Sequence, residues 1–139
     1  MKTATLLLAA AALAATLASA SLAQTAGTAV ISGTLLDSAT GSPARVDLVL
    51  YGYGGLQDGR HSIIAIRVAG QFPPRTSTDS AGRFAFPSLP EGTYVIAFAR
   101  GSIGTDHWIT VRQGAVSTPA IRVRRGQSLN LGTVRVVPQ

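Results

Sequence analysis

Residues 75–100 carry the feature that most constrains the fold, because two turn signals separate short stretches of alternating, extended sequence. The first turn is built around Asp79, whose carboxylate can accept backbone N–H groups, and Gly82, which can take a positive φ. The second turn is built around Pro90, whose ring fixes its own φ, and Gly92, whose φ is free to take the value that the turn needs. This pattern predicts β-strands joined by tight turns.

The strands on either side of the second turn alternate in a way that predicts which side chains are buried. Phe84 and Phe86 are two residues apart, so both rings point to one face and Ala85 to the other. The next strand, which contains Tyr94, is apolar on both faces, as is typical of a central strand. We interpret the two strands as a hairpin that supplies much of a small core, since burying each ring is worth roughly 1.5–3 kcal/mol.

Two motifs in this chain resemble those of a known family. The string T-x-T-D-x-x-G-x-F-x-F-x-x-L-P-x-G-x-Y runs from Thr76 to Tyr94, and I-x-G-x-L-x-D-x-x-T-G-x-P runs from Ile31 to Pro43. Together they resemble the carboxypeptidase regulatory-like domain, over about residues 28–136. The resemblance implies a transthyretin-like, carbohydrate-binding-like β-sandwich that serves as an accessory module, and it does not name a ligand.

Turn signals at close, fairly regular spacing predict seven or eight strands in the whole chain. No segment after the leader has a sustained helical period, so we expect an all-β fold, a Greek-key β-sandwich. Residues 54–74 depart from the family pattern, in which this connection is usually shorter. We expect a glycine-rich loop there and an extra strand over residues 62–68 at a sheet edge, which either decorates that edge or carries binding residues.

The first 23 residues have the features of a secretory signal peptide that is cleaved on export. Lys2 provides the positive start, an apolar segment follows, and small residues precede two alternative cleavage points, after Ala20 or Ala23. Residues 24–29 are then a short polar tether, and the domain covers residues 30–139. Since no cysteine can carry a lipid and no later stretch could span a bilayer, we expect a secreted or periplasmic protein without a transmembrane anchor. A retained N-terminal anchor helix is the alternative.

The charge balance is basic, with 12 Lys and Arg against 6 Asp and Glu. Nearly all of the positive charges are arginines, and they are spread along the chain. This balance suits an anionic partner such as an acidic polysaccharide, but arginines spread in this way are more typical of a β-rich surface that must stay soluble. Nucleic acid is not expected as a partner. Export separates the protein from the nucleic acids of the cell, and no aromatic residues that could stack on bases are interleaved with the basic ones.

The residue types needed for catalysis are scarce in this sequence. A zinc peptidase needs a cluster of His and carboxylate ligands with a Glu as the base. This chain has His61, His107 and a single glutamate, Glu91, which falls in a turn where a solvated side chain is expected. The absence of cysteine excludes disulfides, thiolate metal sites and cysteine nucleophiles. We therefore expect no enzyme activity, no cofactor and no metal site.

Two functions remain open for an exported module of this kind. The first is adhesion or scaffolding, by binding a protein or a cell-surface glycan through loops at one end of the sandwich or an edge strand. The second is a carbohydrate-binding module, in which exposed aromatics stack on sugar rings. The candidate ligand-binding residues are Trp108, with Asp106 and His107 beside it, and Tyr53 near the insertion. The alternative for Trp108 is a structural plug over the end of the sandwich.

Overall fold

The computed structural model describes residues 27–99, 108–113 and 116–137, which form ten β-strands and no helix. This part of the chain therefore contains no helix that could cross a membrane. The predicted signal peptide, residues 24–26, Asp106 and His107 lie outside the described residues. The strands are β1 (Ala29–Asp37), β2 (Asp47–Gln57), β3 (Arg60–Ile64), β4 (Arg75–Ser77), β5 (Arg83–Leu89), β6 (Gly92–Phe98), β7 (Val111–Gln113), β8 (Val116–Thr118), β9 (Ile121–Val123) and β10 (Ser128–Val136).

These strands form two main sheets. A three-stranded sheet has the order β10-β1-β5, with β1 antiparallel to β5 and parallel to β10. A five-stranded sheet has the order β3-β2-β6-β9, and its fifth strand, β4, pairs with β2. β7 and β8 pair with each other as a small separate hairpin. The predicted all-β sandwich is confirmed, and the count exceeds the predicted seven or eight because several strands are only three residues long.

The hydrophobic core lies between the two main sheets and draws side chains from both. Ile31 and Phe86 enter it from the three-stranded sheet, and Leu50 and Ile96 enter it from the five-stranded sheet. The chain changes sheet between successive strands several times, as a Greek-key sandwich requires. The first strand begins at Ala29, which is fully buried, one residue before the predicted start of the domain at residue 30.

The strands on either side of the second turn do not pair with each other, so the predicted hairpin is wrong. β5 pairs with β1, whereas β6 lies between β2 and β9 in the other sheet. The predicted alternation is confirmed, since Phe84 and Phe86 are buried and Ala85 is exposed. The turn at Pro90 and Gly92 is therefore a corner between sheets. Alternation shows which face of a strand is apolar, but it does not show which strand lies beside it.

The first turn is also a corner, because it joins β4 in the five-stranded sheet to β5 in the three-stranded sheet. The Oδ1 atom of Asp79 accepts backbone N–H groups from Ala81 and Arg83, each at 2.9 Å. The backbone hydrogen bond from Arg83 is the main cause that lowers the pKa of Asp79 below its usual value. Gly82 has a φ of 80°, as predicted. The motif thus encodes one strand, β5, with a corner at each end.

The insertion lengthens β2 beyond its predicted end. β2 continues through Gly54-Gly55 to Gln57, so the expected glycine-rich loop is part of a strand. The pairing of β2 with β3 is irregular between Tyr53 and Leu56, which marks a β-bulge. Glycines are frequent at bulges because the extra residue needs an unusual backbone conformation.

β2 and β3 are joined by a two-residue turn at Asp58 and Gly59. Both residues have a positive φ, 52° and 76°, which is the signature of the type I′ turn that suits the twist of a β-hairpin. The predicted extra edge strand is confirmed, because β3 is the outermost strand of its sheet. It occupies Arg60–Ile64 rather than residues 62–68, since the Asp-Gly pair starts the return strand earlier.

Candidate binding surface on the outer face of the five-stranded sheet

The five-stranded sheet has one face toward the core and one face away from it, here termed the outer face. Along β2, Leu48 and Leu50 point into the core, so Val49 and Tyr51 point outward. Residues that are paired across neighbouring strands share a face, so the register shows which other side chains lie on the outer face.

One row of paired residues crosses this sheet from edge to edge. Arg75 of β4 lies opposite Val49 of β2. Val49 in turn lies opposite Ala97 of β6, and Ala97 lies opposite Trp108. All four side chains therefore belong to the outer face, with Arg75 at one end of the row and Trp108 at the other.

Trp108 lies on the outer face of the sheet, and not over the end of the sandwich. The next residue, Ile109, is buried in the core, and its backbone N–H donates to the carbonyl oxygen of Ile96 at 2.8 Å. This bond holds the segment extended along the edge of β6, so that successive side chains point to opposite faces. The indole of Trp108 is half-buried.

Three aromatic side chains meet on the outer face, and we term them the aromatic cluster: Tyr53, His61 and Trp108. The hydroxyl of Tyr53 lies 2.7 Å from Nδ1 of His61, a hydrogen bond whose donor depends on the imidazole tautomer. The rings of His61 and Trp108 pack edge to face, with centroids 5.5 Å apart and planes at 81°. All three side chains are half-buried, so each keeps a surface in contact with solvent.

The aromatic cluster joins opposite edges of the sheet. His61 belongs to β3 at one edge, whereas Trp108 pairs with the far side of β6, and both β2 and β6 lie between them. The two rings can touch because the β2–β3 hairpin bends over the outer face. The bulge at Gly54-Gly55, where Gly55 has a φ of 89°, supplies this bend, since a bulge kinks its strand and increases the local twist.

A second apolar layer lies beneath the bent hairpin. Val49, Val95 and Ala97 are at most 3 % exposed, although they do not belong to the core cluster. In an antiparallel sheet, the face that points away from the core is commonly solvated and polar. Here the hairpin and Trp108 lie on the same face as these three residues. This arrangement explains why β2 and β6 are apolar on both sides.

A polar cleft adjoins the apolar part of the outer face. Two neighbouring cavities of about 400 Å³ and about 270 Å³ share Asp47, Ser77 and Ala99 in their linings. The Ser77 hydroxyl donates to Oδ1 of Asp47 at 2.6 Å. Arg45 lines the larger cavity and Arg75 the smaller one. Asp47, Ser77 and Arg75 belong to the outer face by register, so the cleft opens at the margin of that face, and the larger cavity continues from there to the corner at Asp79.

The structure brings together two of the four residues that the sequence singled out as candidates for binding. Trp108 and Tyr53 both contact His61, which the sequence did not single out. Asp106 and His107 lie outside the described residues. The Asp-Gly turn was a usable signal for His61, because a tight turn there folds β3 back along β2 and returns His61 to the neighbourhood of Tyr53.

The aromatic cluster has side-chain chemistry that suits the binding of a ligand. Large rings offer flat apolar faces for stacking, while the phenol, imidazole and indole groups can still form hydrogen bonds. Among the residues that the structure describes, no group of three His, Asp or Glu side chains is placed to hold a metal ion.

Comparison with known proteins supports the fold and leaves the family open. No family model and no curated protein matches this chain. Among solved structures, BcpA, the major pilin subunit of Bacillus cereus, matches 78 % of this chain at 19 % identity with a TM-score of 0.50. A variant of the same subunit matches 78 % of the chain at 18 % identity, also with a TM-score of 0.50. This chain spans less than a third of the pilin subunit, 29 % and 30 % in the two structures.

A third structure of similar size is a Pseudomonas aeruginosa protein provisionally described as carbohydrate-binding. It matches 81 % of this chain and 91 % of its own length, at 20 % identity with a TM-score of 0.45. At these identities, the comparisons with the pilin subunit show a shared β-sandwich fold and nothing finer.

Proposed function

We propose that this chain is an exported, non-catalytic module of the carboxypeptidase regulatory-like type that acts in adhesion or scaffolding. In this proposal it binds a protein or a cell-surface glycan through the outer face of the five-stranded sheet. The observation that carries the proposal is the aromatic cluster, in which Tyr53, His61 and Trp108 are held against one another yet remain half-exposed.

A cluster of this kind favours binding for two physical reasons. Aromatic rings contribute a large contact area at a low cost in conformational entropy, and they are enriched at the centres of protein interfaces. The hydrogen bond between Tyr53 and His61 also fixes both rings before a partner arrives, which reduces the entropy lost on binding. We infer export from the leader sequence, and we infer the absence of catalysis from the scarcity of His and Glu and the lack of Cys.

A second candidate function is that of a carbohydrate-binding module, and the polar cleft favours it. Sugar rings have apolar C–H faces that can stack on Trp108, while their hydroxyls need hydrogen-bond partners. Asp47 and Ser77 offer such partners on the same face. The same surface would then act as a stacking platform beside a polar cleft.

The first test compares retention of the purified protein on envelopes isolated from the producing cells. Trp108→Ala and Tyr53→Ala should each weaken retention at least about tenfold, the loss expected for anchor residues of an interface. Phe72→Ala is a matched control, because Phe72 is an aromatic residue that is 57 % exposed and lies outside the aromatic cluster. Equal retention of all three variants, with unchanged melting temperatures, would refute the proposal.

The second test separates the two candidates. Periodate oxidation destroys envelope glycans and protease treatment destroys envelope proteins, so the treatment that abolishes retention identifies the kind of partner. The fluorescence of Trp108, the single tryptophan, should also shift in a saturable way when a bound glycan covers it. Retention that survives periodate and fails after protease treatment rejects the carbohydrate-binding candidate.

A further inference from the structure

We propose that the ligand of the outer face is an anionic polysaccharide that carries carboxylate groups. This inference rests on the proposed function, since it names the chemical class of partner for the same surface. Its basis is the placement of two arginines on that face, one at each edge of the sheet and on either side of its aromatic and apolar side chains.

The register places both arginines on the outer face. Arg75 lies opposite Val49, in the row that ends at Trp108. Arg122 of β9 lies opposite Thr93 of β6, two residues along that strand from the outward-facing Val95 and therefore on the same side. Both arginine side chains are exposed.

Neither arginine is neutralised by a carboxylate of the described residues. The ion pair found in this part of the chain joins Arg83 to Asp79, at the corner between β4 and β5. Asp47 is the carboxylate that β2 places on the outer face, and it accepts a hydrogen bond from Ser77. The strands therefore give this face a positive balance, with guanidinium groups free to bind a ligand.

The spacing of the two arginines suits a polymer. Arg75 on β4 and Arg122 on β9 are three strand spacings apart, about 14 Å, and they are also offset by four residues along β6, about 13 Å, so roughly 20 Å separates their positions on the sheet. A single acidic sugar cannot reach both arginines, whereas a chain of uronic acids crossing the face presents carboxylates at intervals. Guanidinium groups bind carboxylates with two parallel hydrogen bonds, and the aromatic cluster between the edges can stack on the intervening ring faces.

The experiment compares polygalacturonate with its fully methyl-esterified form, which has the same sugar backbone but no carboxylate charge. Binding of the purified protein is measured by affinity electrophoresis at about 0.15 M salt, where interactions across more than about 8 Å of solvent are screened. Arg75→Gln and Arg122→Gln are compared with Arg135→Gln, which removes the same charge from the exposed side of β10 in the other sheet. A single-stranded oligonucleotide serves as a competitor.

The expected result is binding to polygalacturonate and not to its ester, weakened about tenfold by Arg75→Gln or Arg122→Gln and less than twofold by Arg135→Gln. Equal losses in all three variants, or full competition by the oligonucleotide, would mean general charge attraction and would overturn the inference. Equal binding to both polymers that still depends on Trp108 would overturn the inference and leave the proposed function standing. If the protein binds neither polymer but its retention on envelopes still depends on Trp108, the inference is likewise overturned and the proposed function stands. Failure in both assays would remove both proposals.

Discussion

The hydroxyl of Tyr94 donates a hydrogen bond to the backbone carbonyl oxygen of Pro90, 2.6 Å away. Tyr94 is near the start of β6, and its ring is buried, which raises the pKa of its hydroxyl and keeps it a neutral donor. The bond ties the strand to the corner that precedes it, as the tyrosine corner of immunoglobulin-like sandwiches does. A Cβ atom on Gly92 would meet the Tyr94 ring at 3.6 Å, an ordinary van der Waals distance, so the ring does not require a glycine at this position. The hydrogen bond gives the proline and the tyrosine of the L-P-x-G-x-Y motif a structural reason.

Replacing Tyr94 by Phe tests the corner directly. The variant keeps the buried ring but leaves the Pro90 carbonyl without its partner, so the free energy of unfolding should fall by about 1–2 kcal/mol. Urea unfolding of the two proteins measures this difference. Tyr51→Phe, on the half-buried outer face, removes the same atom outside the corner and should change stability by less than about 0.5 kcal/mol. Similar losses in the two variants would contradict the corner role.

Gly82 and Gly41 provide a matched pair for the first corner. Both have a positive φ, 80° and 73°, so an Ala at either position carries the same strain, about 1 kcal/mol. A Cβ on Gly82 would also overlap the carbonyl oxygen of Leu35, whereas a Cβ on Gly41 would meet nothing within 4 Å. Thermal unfolding should therefore show Gly82→Ala to be less stable than Gly41→Ala by at least about 1 kcal/mol. Equal stabilities would show that β1 and the corner can move apart without cost.

Phe84 tests whether β5 supplies a central part of the core. Its ring is 5 % exposed and lies against Phe86, with centroids 6.2 Å apart. Phe84→Ala should lower the free energy of unfolding by about 3–5 kcal/mol, because it removes a buried ring and leaves a cavity. Phe72→Ala, which removes an exposed ring, should cost less than about 1 kcal/mol. Denaturant titration of both variants settles the comparison, and a silent Phe84→Ala would mean that the core lies elsewhere.

The hydrogen-bonded carboxylate of Asp79 should make the folded protein less stable in acid. Its pKa in the folded protein is lowered, first by the backbone hydrogen bond from Arg83, so its stabilising contribution is present above the ordinary value of 3.8. That contribution is lost as the pH falls through the lower folded value. Melting temperatures between about pH 5 and pH 2 should therefore decline less steeply for Asp79→Asn than for the wild type. Asn keeps an oxygen that can accept the backbone bonds, so it removes the charge with little change in geometry.

Arg83→Gln separates the two contributions to this titration. It removes the ion pair of Nε with Oδ2 of Asp79 but retains the backbone N–H that bonds Oδ1. The acid decline should persist in reduced form, because the backbone bond is the larger cause of the lowered pKa. A profile as flat as that of Asp79→Asn would assign the effect to the ion pair instead.

The proposed binding surface depends on contacts that local sequence patterns do not record. The sequence places Tyr53 and Trp108 near loops, but their meeting through His61 depends on a bulge that bends one hairpin over the sheet. The face of Arg75 and Arg122 likewise follows from register, which pairs each with a strand distant in sequence. The local sequence around a Trp beside a loop is the same whether the Trp covers the end of a sandwich or lies on the face of one of its sheets.

The sequence alone determined the local features of this protein. Turns at Asp79, Gly82 and Pro90, the buried alternation of β5 and the β6 strand apolar on both faces could all be predicted, since each depends on a few neighbouring residues. Only the tertiary structure decided that β5 and β6 lie in different sheets and that β10 pairs parallel with β1. It also decided which side chains share the outer face. Many strand pairings are possible for this sequence, and they compete. The most stable pairing is the one that buries the apolar faces of both sheets at once.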